Sequence, residues 1–265
     1  MDAFYAPNPT HNPQRWVLPV ARSLCVGPPG RQFLFGGVGL AASVTAMERA
    51  TGRPLIWATA QYLSYANPDA MLDIDVATPV AGKSVTQARV VGHVGEREIV
   101  TVNAALGQRP ELHSRQFAVM PRVPKPDDCD LIEHAHRDPD GLHGRFEHRA
   151  IPHDPGEDEG RSKQWLRCRS GSSSDSCEMS AGLLAVIADY VPSGIRTALD
   201  QPAGANSLDN TLRIVRTRPT EWVLCDTQIF AVAAGFVHGR MHLFAENGEL
   251  LATASQSGIL RVFEG

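Results

Sequence analysis

The amino-acid sequence predicts an α+β protein made of two copies of one unit, each a central helix followed by a long antiparallel sheet. Two observations carry that reading. The first is an order of elements that occurs twice, a helical pattern and then four extended segments. The second is a constant offset. Adding 151 to a position in the first half aligns Pro68 with Pro219, Asp75 with Asp226, Arg89 with Arg240, Glu98 with Glu249 and Gly107 with Gly258, without a gap. A single offset that also superposes turns on turns is the mark of a duplication.

Taken in order, residues 1–30 hold six prolines and little periodicity, which predicts an extended N-terminal arm. The first unit runs over 31–119. Arg31-Gln-Phe-Leu-Phe is a short strand and Gly36-Gly37 a turn; Leu40, Val44 and Met47 then recur at helical spacing until Gly52 and Pro54 stop the helix. Four strands follow, at about 55–66, 70–78, 83–94 and 97–107, rich in Val, Ile, Thr and Tyr and separated by turn residues. The interval 120–165 is polar, with Pro121, Pro124, Pro126 and five histidines, and is expected to be a linker, with a first strand of the second unit near 145–151. The second unit, 166–265, repeats the order: a helix from about Cys177 to Val191, then strands near 207–216, 221–229, 234–245 and 249–263.

Composition narrows the function. The 265 residues are 43% hydrophobic and 20% charged, as in globular proteins, which excludes fibrous or wholly disordered chains. A net charge of -4 offers no electrostatic grip on nucleic acid. The longest apolar run, Ala181 to Val191, is interrupted by Gly182 and Asp189 and is too short to span a bilayer. Cys25, Cys129, Cys168, Cys177 and Cys225 are odd in number and form no Cys-x-x-Cys pair, so reduced thiols and a cytoplasmic location are expected.

The helix-then-sheet order resembles the hotdog fold, in which a curled sheet wraps a central helix, and two linked units resemble a double hotdog with two sheets. Three stretches make the likeness closer: Phe35-Gly36-Gly37 opening the first helix, Ser207-Leu208-Asp209-Asn210 opening a strand, and Ala254-Ser255-Gln256-Ser257-Gly258-Ile259-Leu260-Arg261 near the C-terminus. These resemble the bacterial acyl-CoA thioesterase II family, called TesB-like. The resemblance implies a hydrolase of fatty acyl-CoA, acting in fatty acid and lipid metabolism. No cofactor is implied, since CoA is part of the substrate, and further association of double units into a homo-oligomer is expected.

Carried over by position, the resemblance assigns catalysis to Asp209, Thr227 and Gln256, with Gln228 as the alternate to Thr227. At the offset of 151 the first half has Ala58, Val76 and Ala105 in their places, so the polar trio exists once. Asp209 would take a proton from water, Thr227 and Gln256 would orient that water, and an amide near Gly36 or Gly37 would face the oxyanion. The sequence departs from the family at Asn210, where a His is usual; an Asn hydrogen-bonds but carries no proton.

Other readings fit less of the chain. Gly37-Val38-Gly39-Leu40-Ala41-Ala42 satisfies the dinucleotide-binding spacing, but four strands without intervening helices follow it. His134, His136, His143, His148 and His153 sit in an acidic, proline-rich stretch that suits a solvated loop better than a metal site. Ser172 to Ser174 lack a nucleophile elbow. The open alternative is a non-catalytic acyl-CoA binding or scaffold protein on the same fold.

Overall fold

The computed structural model describes residues 3–110, 113–132, 138, 140–153, 158–169 and 179–263. The first half contains β1 (Asn8–Pro9), β2 (Arg15–Pro19), β3 (Cys25–Val26), β4 (Phe33–Leu34), helix α1 (Gly36–Thr51), β5 (Leu55–Tyr62), β6 (Met71–Ala81), β7 (Val85–Val94) and β8 (Arg97–Gly107). After β9 (Asp130–Leu131), the second half contains β10 (Phe146–Ala150), β11 (Arg161–Cys168), α2 (Ala181–Ala188), α3 (Ile195–Leu199), β12 (Ala203–Ser207), β13 (Asp209–Ile214), β14 (Val223–Ala233), β15 (Phe236–Ala245) and β16 (Leu250–Val262).

Helix α1 begins directly after Phe35 and is stopped by Gly52, which adopts φ 64°, the left-handed cap conformation glycine reaches without strain. Its small residues, Gly39, Ala41, Ala42, Ser43 and Ala46, are all buried, so the sheet and a second helix can approach it from several sides. That second helix is α2, every residue of which is buried. Ser180 caps it by accepting the Leu183 N–H at 3.1 Å. Leu183 and Leu184 are at most 1% exposed, a burial that contributes about 1.5–3 kcal/mol for each leucine.

Where two sheets are expected, fourteen strands of the described residues form one, in the order β1-β2-β6-β7-β8-β5-β13-β16-β15-β14-β11-β10-β9 with β12 also on β16. The seam is β5 against β13, antiparallel, with Thr59 facing Thr211 and their hydroxyls 2.8 Å apart. Pairing of the two inner edges removes both as exposed edges, which is why the units fuse rather than stand as separate sheets.

The registers repeat. Asp75↔Val91, Val76↔Val90 and Ala77↔Arg89 in the first half become Asp226↔His242, Thr227↔Met241 and Gln228↔Arg240 in the second, each residue 151 positions on. Thr59↔Asn103 and Ala60↔Val102 become Thr211↔Ser255 and Leu212↔Ala254, and Leu55↔Leu106 becomes Ser207↔Gly258, each 152 positions on. The β13–β14 connection is one residue shorter than its counterpart between β5 and β6, and the β15–β16 turn is one residue longer than that between β7 and β8. On β5 and β8 the uniform offset of 151 is therefore one short, and one residue of slip moves a side chain to the opposite face of a sheet.

Two segments read as arm and linker join the body. β2 pairs with β6, and Arg15 clasps Asp75 from both guanidinium nitrogens, at 2.6 and 2.8 Å. In the second half β11 pairs with β14, and Arg161 holds Asp226 in the same way at 2.8 and 2.9 Å. Further back in the arm, the Tyr5 hydroxyl lies 2.6 Å from Ser180 Oγ, and its ring sits where a Cβ on Gly182 would come within 2.4 Å of it. Between the halves, Ala118, Met120 and Val123 cover the outer face of the sheet's second half, closing a small core of Cys129, Trp165, Trp222, Leu224, Phe244 and Leu250. Cys25, Cys129 and Cys225 are free and buried, whereas Cys168 is disulfide-bonded, contrary to the expected reduced thiol. No helix among the described residues is long and apolar enough to cross a membrane.

Candidate active site

Where α2 ends, a single acid follows eight apolar residues. Asp189 caps the helix and is 4% exposed. The N-terminus of α1 points at it: the Gly37 N–H, one of the first-turn donors that no helical carbonyl satisfies, donates to Asp189 Oδ2 at 2.7 Å. Both glycines are needed there. A Cβ on Gly37 would lie 2.8 Å from the Asp189 Cβ, and one on Gly36 would lie 2.9 Å from Asp189 Oδ2 and 2.8 Å from Tyr62 Cζ.

Two strands of the second half supply donors to the other oxygen of the carboxylate. Asn210 on β13 donates from Nδ2 to Asp189 Oδ1 at 3.3 Å, and Gln256 on β16 donates from Nε2 to the same atom. The Gln256 amide also donates to Ser207 Oγ at 2.7 Å. Burial pushes the Asp189 carboxyl up to about 7, although bonds from Gly37, Gln256 and Asn210 oppose the rise. Around it, Tyr62 Oη, Asn210 Oδ1 and Gln256 Oε1 are buried and have no protein partner.

Asp189, Gly36, Tyr62 and Ser207 open onto a cavity of about 910 Å³ between the two halves. Phe33, Leu34, Phe35 and Ile151 give it an apolar wall, and Lys163, Arg196 and Arg261 line it as well. Asp189 is its sole acidic lining residue among those described. The arrangement is a buried carboxylate that can exist in either protonation state near neutral pH, with an amide and a hydroxyl beside it.

Of the residues expected from sequence, Gln256, Gly36 and Gly37 are here and three others are not. Asn210 and Leu212 are wholly buried on the inner face of β13, so Asp209, one residue along, points to the outer face. Its Oδ1 accepts the Ser257 N–H at 2.7 Å, fastening the break where β16 changes partner from β13 to β12. Thr227 is 1% exposed but lies on β14, two strands from β16, with its Cγ2 3.0 Å from the place of a Cβ on Gly194. Gln228 turns its amide to the carbonyls of Glu159 and Ile229 at 2.9 and 3.1 Å. Asp189 and Ser207 take the places expected of Asp209 and Thr227. The sequence signal for Asp189 was a lone acid inside an apolar run; Ser207 stood within the quoted Ser-Leu-Asp-Asn stretch. Of the histidines, His134 and His136 lie outside the described residues, as do Ser172 to Ser174. His143, His148 and His153 line the cavity, and no cluster with metal-ligand geometry occurs among the described residues.

Residues 126–260 match the family model of the acyl-CoA thioesterase C-terminal domain. No curated protein matches the sequence significantly. Among solved structures, a Novosphingobium aromaticivorans protein provisionally described as a thioesterase is 33% identical, with a TM-score of 0.89 and 99% of this chain and 100% of its own covered. Two others share the fold. One is an Alicyclobacillus acidocaldarius protein described as having a hot dog fold (TM-score 0.81, 18% identity, coverage 100% and 99%). The other is acyl-CoA thioesterase II of Mycobacterium marinum (TM-score 0.75, 20% identity, coverage 99% and 98%). With the repeated units, the fused hotdog sheet and a family match over half its length, the chain belongs to the acyl-CoA thioesterases of the TesB-like, thioester-hydrolysing kind.

Proposed function

We propose that the chain hydrolyses acyl-CoA to the free acid and CoA, with Asp189 as the base that activates water. The observation that carries this reading is the Asp189 carboxylate, buried at the start of α1 and shared with Gln256, which in turn holds Ser207. The cavity supports the substrate class. Its apolar wall suits an acyl chain, and Lys163, Arg196 and Arg261 complement the phosphates of CoA.

In this scheme Gln256 and the Ser207 hydroxyl hold a water against Asp189. The water oxygen attacks the thioester carbon while Asp189 takes its proton, and the carbonyl electron pair moves onto oxygen. Collapse re-forms the carbonyl and breaks the carbon–sulfur bond; the proton on Asp189 passes to the departing CoA sulfur. A carboxyl near 7 suits both halves of that exchange, since a base poised near the working pH accepts and returns a proton with little penalty.

Asp189→Asn keeps size and hydrogen bonding while deleting the base, so CoA release falls by on the order of a hundredfold or more with acyl-CoA binding retained. Asp209→Asn, altered on the other face of the sheet, stays within a few fold of wild type. The reverse ranking would remove Asp189 from its role. Wild-type protein that binds acyl-CoA and never releases CoA would instead be the acyl-CoA binding module.

A further inference from the structure

Tyr62 is the residue around Asp189 whose hydroxyl the hydrogen-bond network leaves over. It stands at the end of β5, in the first half, and its ring reaches across the start of α1 toward an acid of the second half. Tyr62 lines the cavity beside Asp189, and its oxygen is buried with no protein partner at hydrogen-bond distance. The other two unsatisfied atoms, Asn210 Oδ1 and Gln256 Oε1, are acceptors, so neither can stabilise negative charge. The Gly37 N–H, a natural oxyanion donor, is already committed to Asp189 Oδ2. A thioester carbonyl brought to Asp189 needs a donor other than the bonded Gly37 N–H, and the Tyr62 hydroxyl is a buried donor in need of an acceptor.

We propose that Tyr62 is a further catalytic residue, donating its hydroxyl hydrogen bond to the thioester carbonyl oxygen as negative charge develops there. The inference rests on hydrolysis at Asp189. Tyr62 keeps its proton throughout: the bond strengthens as the carbonyl electron pair moves onto oxygen and weakens when the carbon–sulfur bond breaks and the carbonyl returns. Burial, together with the nearby charges of Asp189 and Asp209, holds the phenol well above its ordinary range, so it remains a neutral donor at working pH. Apolar Ile214 stands 152 positions on from Tyr62, as the register of β5 and β13 requires, so the duplicated unit offers this donor to one site alone.

The test is Tyr62→Phe, which keeps the ring and removes the oxygen. Losing a donor that faces developing charge lowers kcat by about a hundredfold, with a rise in KM of no more than several fold for the contact to the ground-state carbonyl. Two inert substrate analogues separate this contact from a merely structural one. In one, a methylene replaces the thioester sulfur and the carbonyl is kept; in the other, a thioether, the carbonyl is absent. Tyr62→Phe should bind the ketone analogue several fold more weakly than wild type and the thioether equally well. Equal affinity for both, or an equal loss on both, would overturn the contact. Because the analogues report binding, they decide on Tyr62 even if wild-type protein hydrolyses no acyl-CoA, the result that would sink the parent reading instead.

Discussion

Where the second half places Ser207, Asn210 and Gln256, the first half places Leu55, Ala58 and Ala104, at equivalent registers and all at most 5% exposed. Counted from the helix caps Phe35 and Ser180, Asp189 stands where α1 has Val44, which is wholly buried. The pairing of backbone is the same and the filling is opposite. One half concentrates polar groups whose burial is unfavourable unless they are bonded, and the other keeps apolar side chains that pack. Duplication makes this division possible, since a site at the junction needs the start of α1 from one half and the acid from the other.

The division can be attacked from both sides. On the polar side, Gln256→Ala removes the amide that joins Asp189 to Ser207, and CoA release should fall by about a hundredfold. Ser207→Ala should fall less, and the double variant should be little worse than Gln256→Ala alone, because residues acting on one water are not additive. Multiplied losses in the double variant would separate the two roles.

Acidity gives the next largest effect. With Asp189 near 7 and ionised when it acts as base, kcat/KM should climb about tenfold per pH unit below 7 and level off above it. Stability should run the other way. A carboxyl raised from 3.8 to about 7 binds its proton more tightly in the folded state, so its contribution is full below the unfolded value and fades as pH rises toward 7. Asp189→Asn is therefore expected to melt above wild type at pH 8, with the gap closing toward pH 4. A gap independent of pH would mean that the carboxyl titrates in its ordinary range.

On the apolar side, Ala104→Gln imitates the second half within the first. Ala104 is 1% exposed, so the larger buried amide should cost about 1–3 kcal/mol, or about 2–4 °C of Tm for each kcal/mol, with turnover unchanged. A variant as stable as wild type would show that the first half has room for a site of its own. The smallest effect concerns the two arginine clasps. Asp226 has an 11% exposed side chain and Asp75 one that is 39% exposed, so Asp226→Asn should lower Tm by more than Asp75→Asn. Equal shifts would mean that the two edges are equally solvated.

The strands and the duplication were legible because both rest on patterns the chain repeats: alternation on β6 to β8 reappears on β14 to β16, and the turns carry glycine in both halves. The site was legible in part. Gln256 faces inward at a register the motif fixed. Asp209 was misleading because it neighbours an inward position, and on a strand the neighbour of an inward residue faces outward; a β13–β14 connection one residue shorter than that between β5 and β6 hid that difference. Asp189 belongs to a helix too short to show periodicity, and its importance comes from a contact with Gly37, 152 residues earlier, that no local pattern encodes. Tyr62 gave no signal at all, since a tyrosine on a strand is ordinary.

The Tyr5 ring that fills the space at Gly182 ties the order of synthesis to the order of assembly. Its hydroxyl meets Ser180 across 175 residues of chain. Tyr5 must wait for α2, whose cap Ser180 follows it by 175 residues in the order of synthesis, before it can settle. Contacts of such span slow folding, because a long loop must close before the contact repays it. The second half in turn starts its helix with a residue borrowed from the far end of the chain. Severing the halves would leave α2 without that partner, so the two copies, though repeats of one unit, have become unable to part.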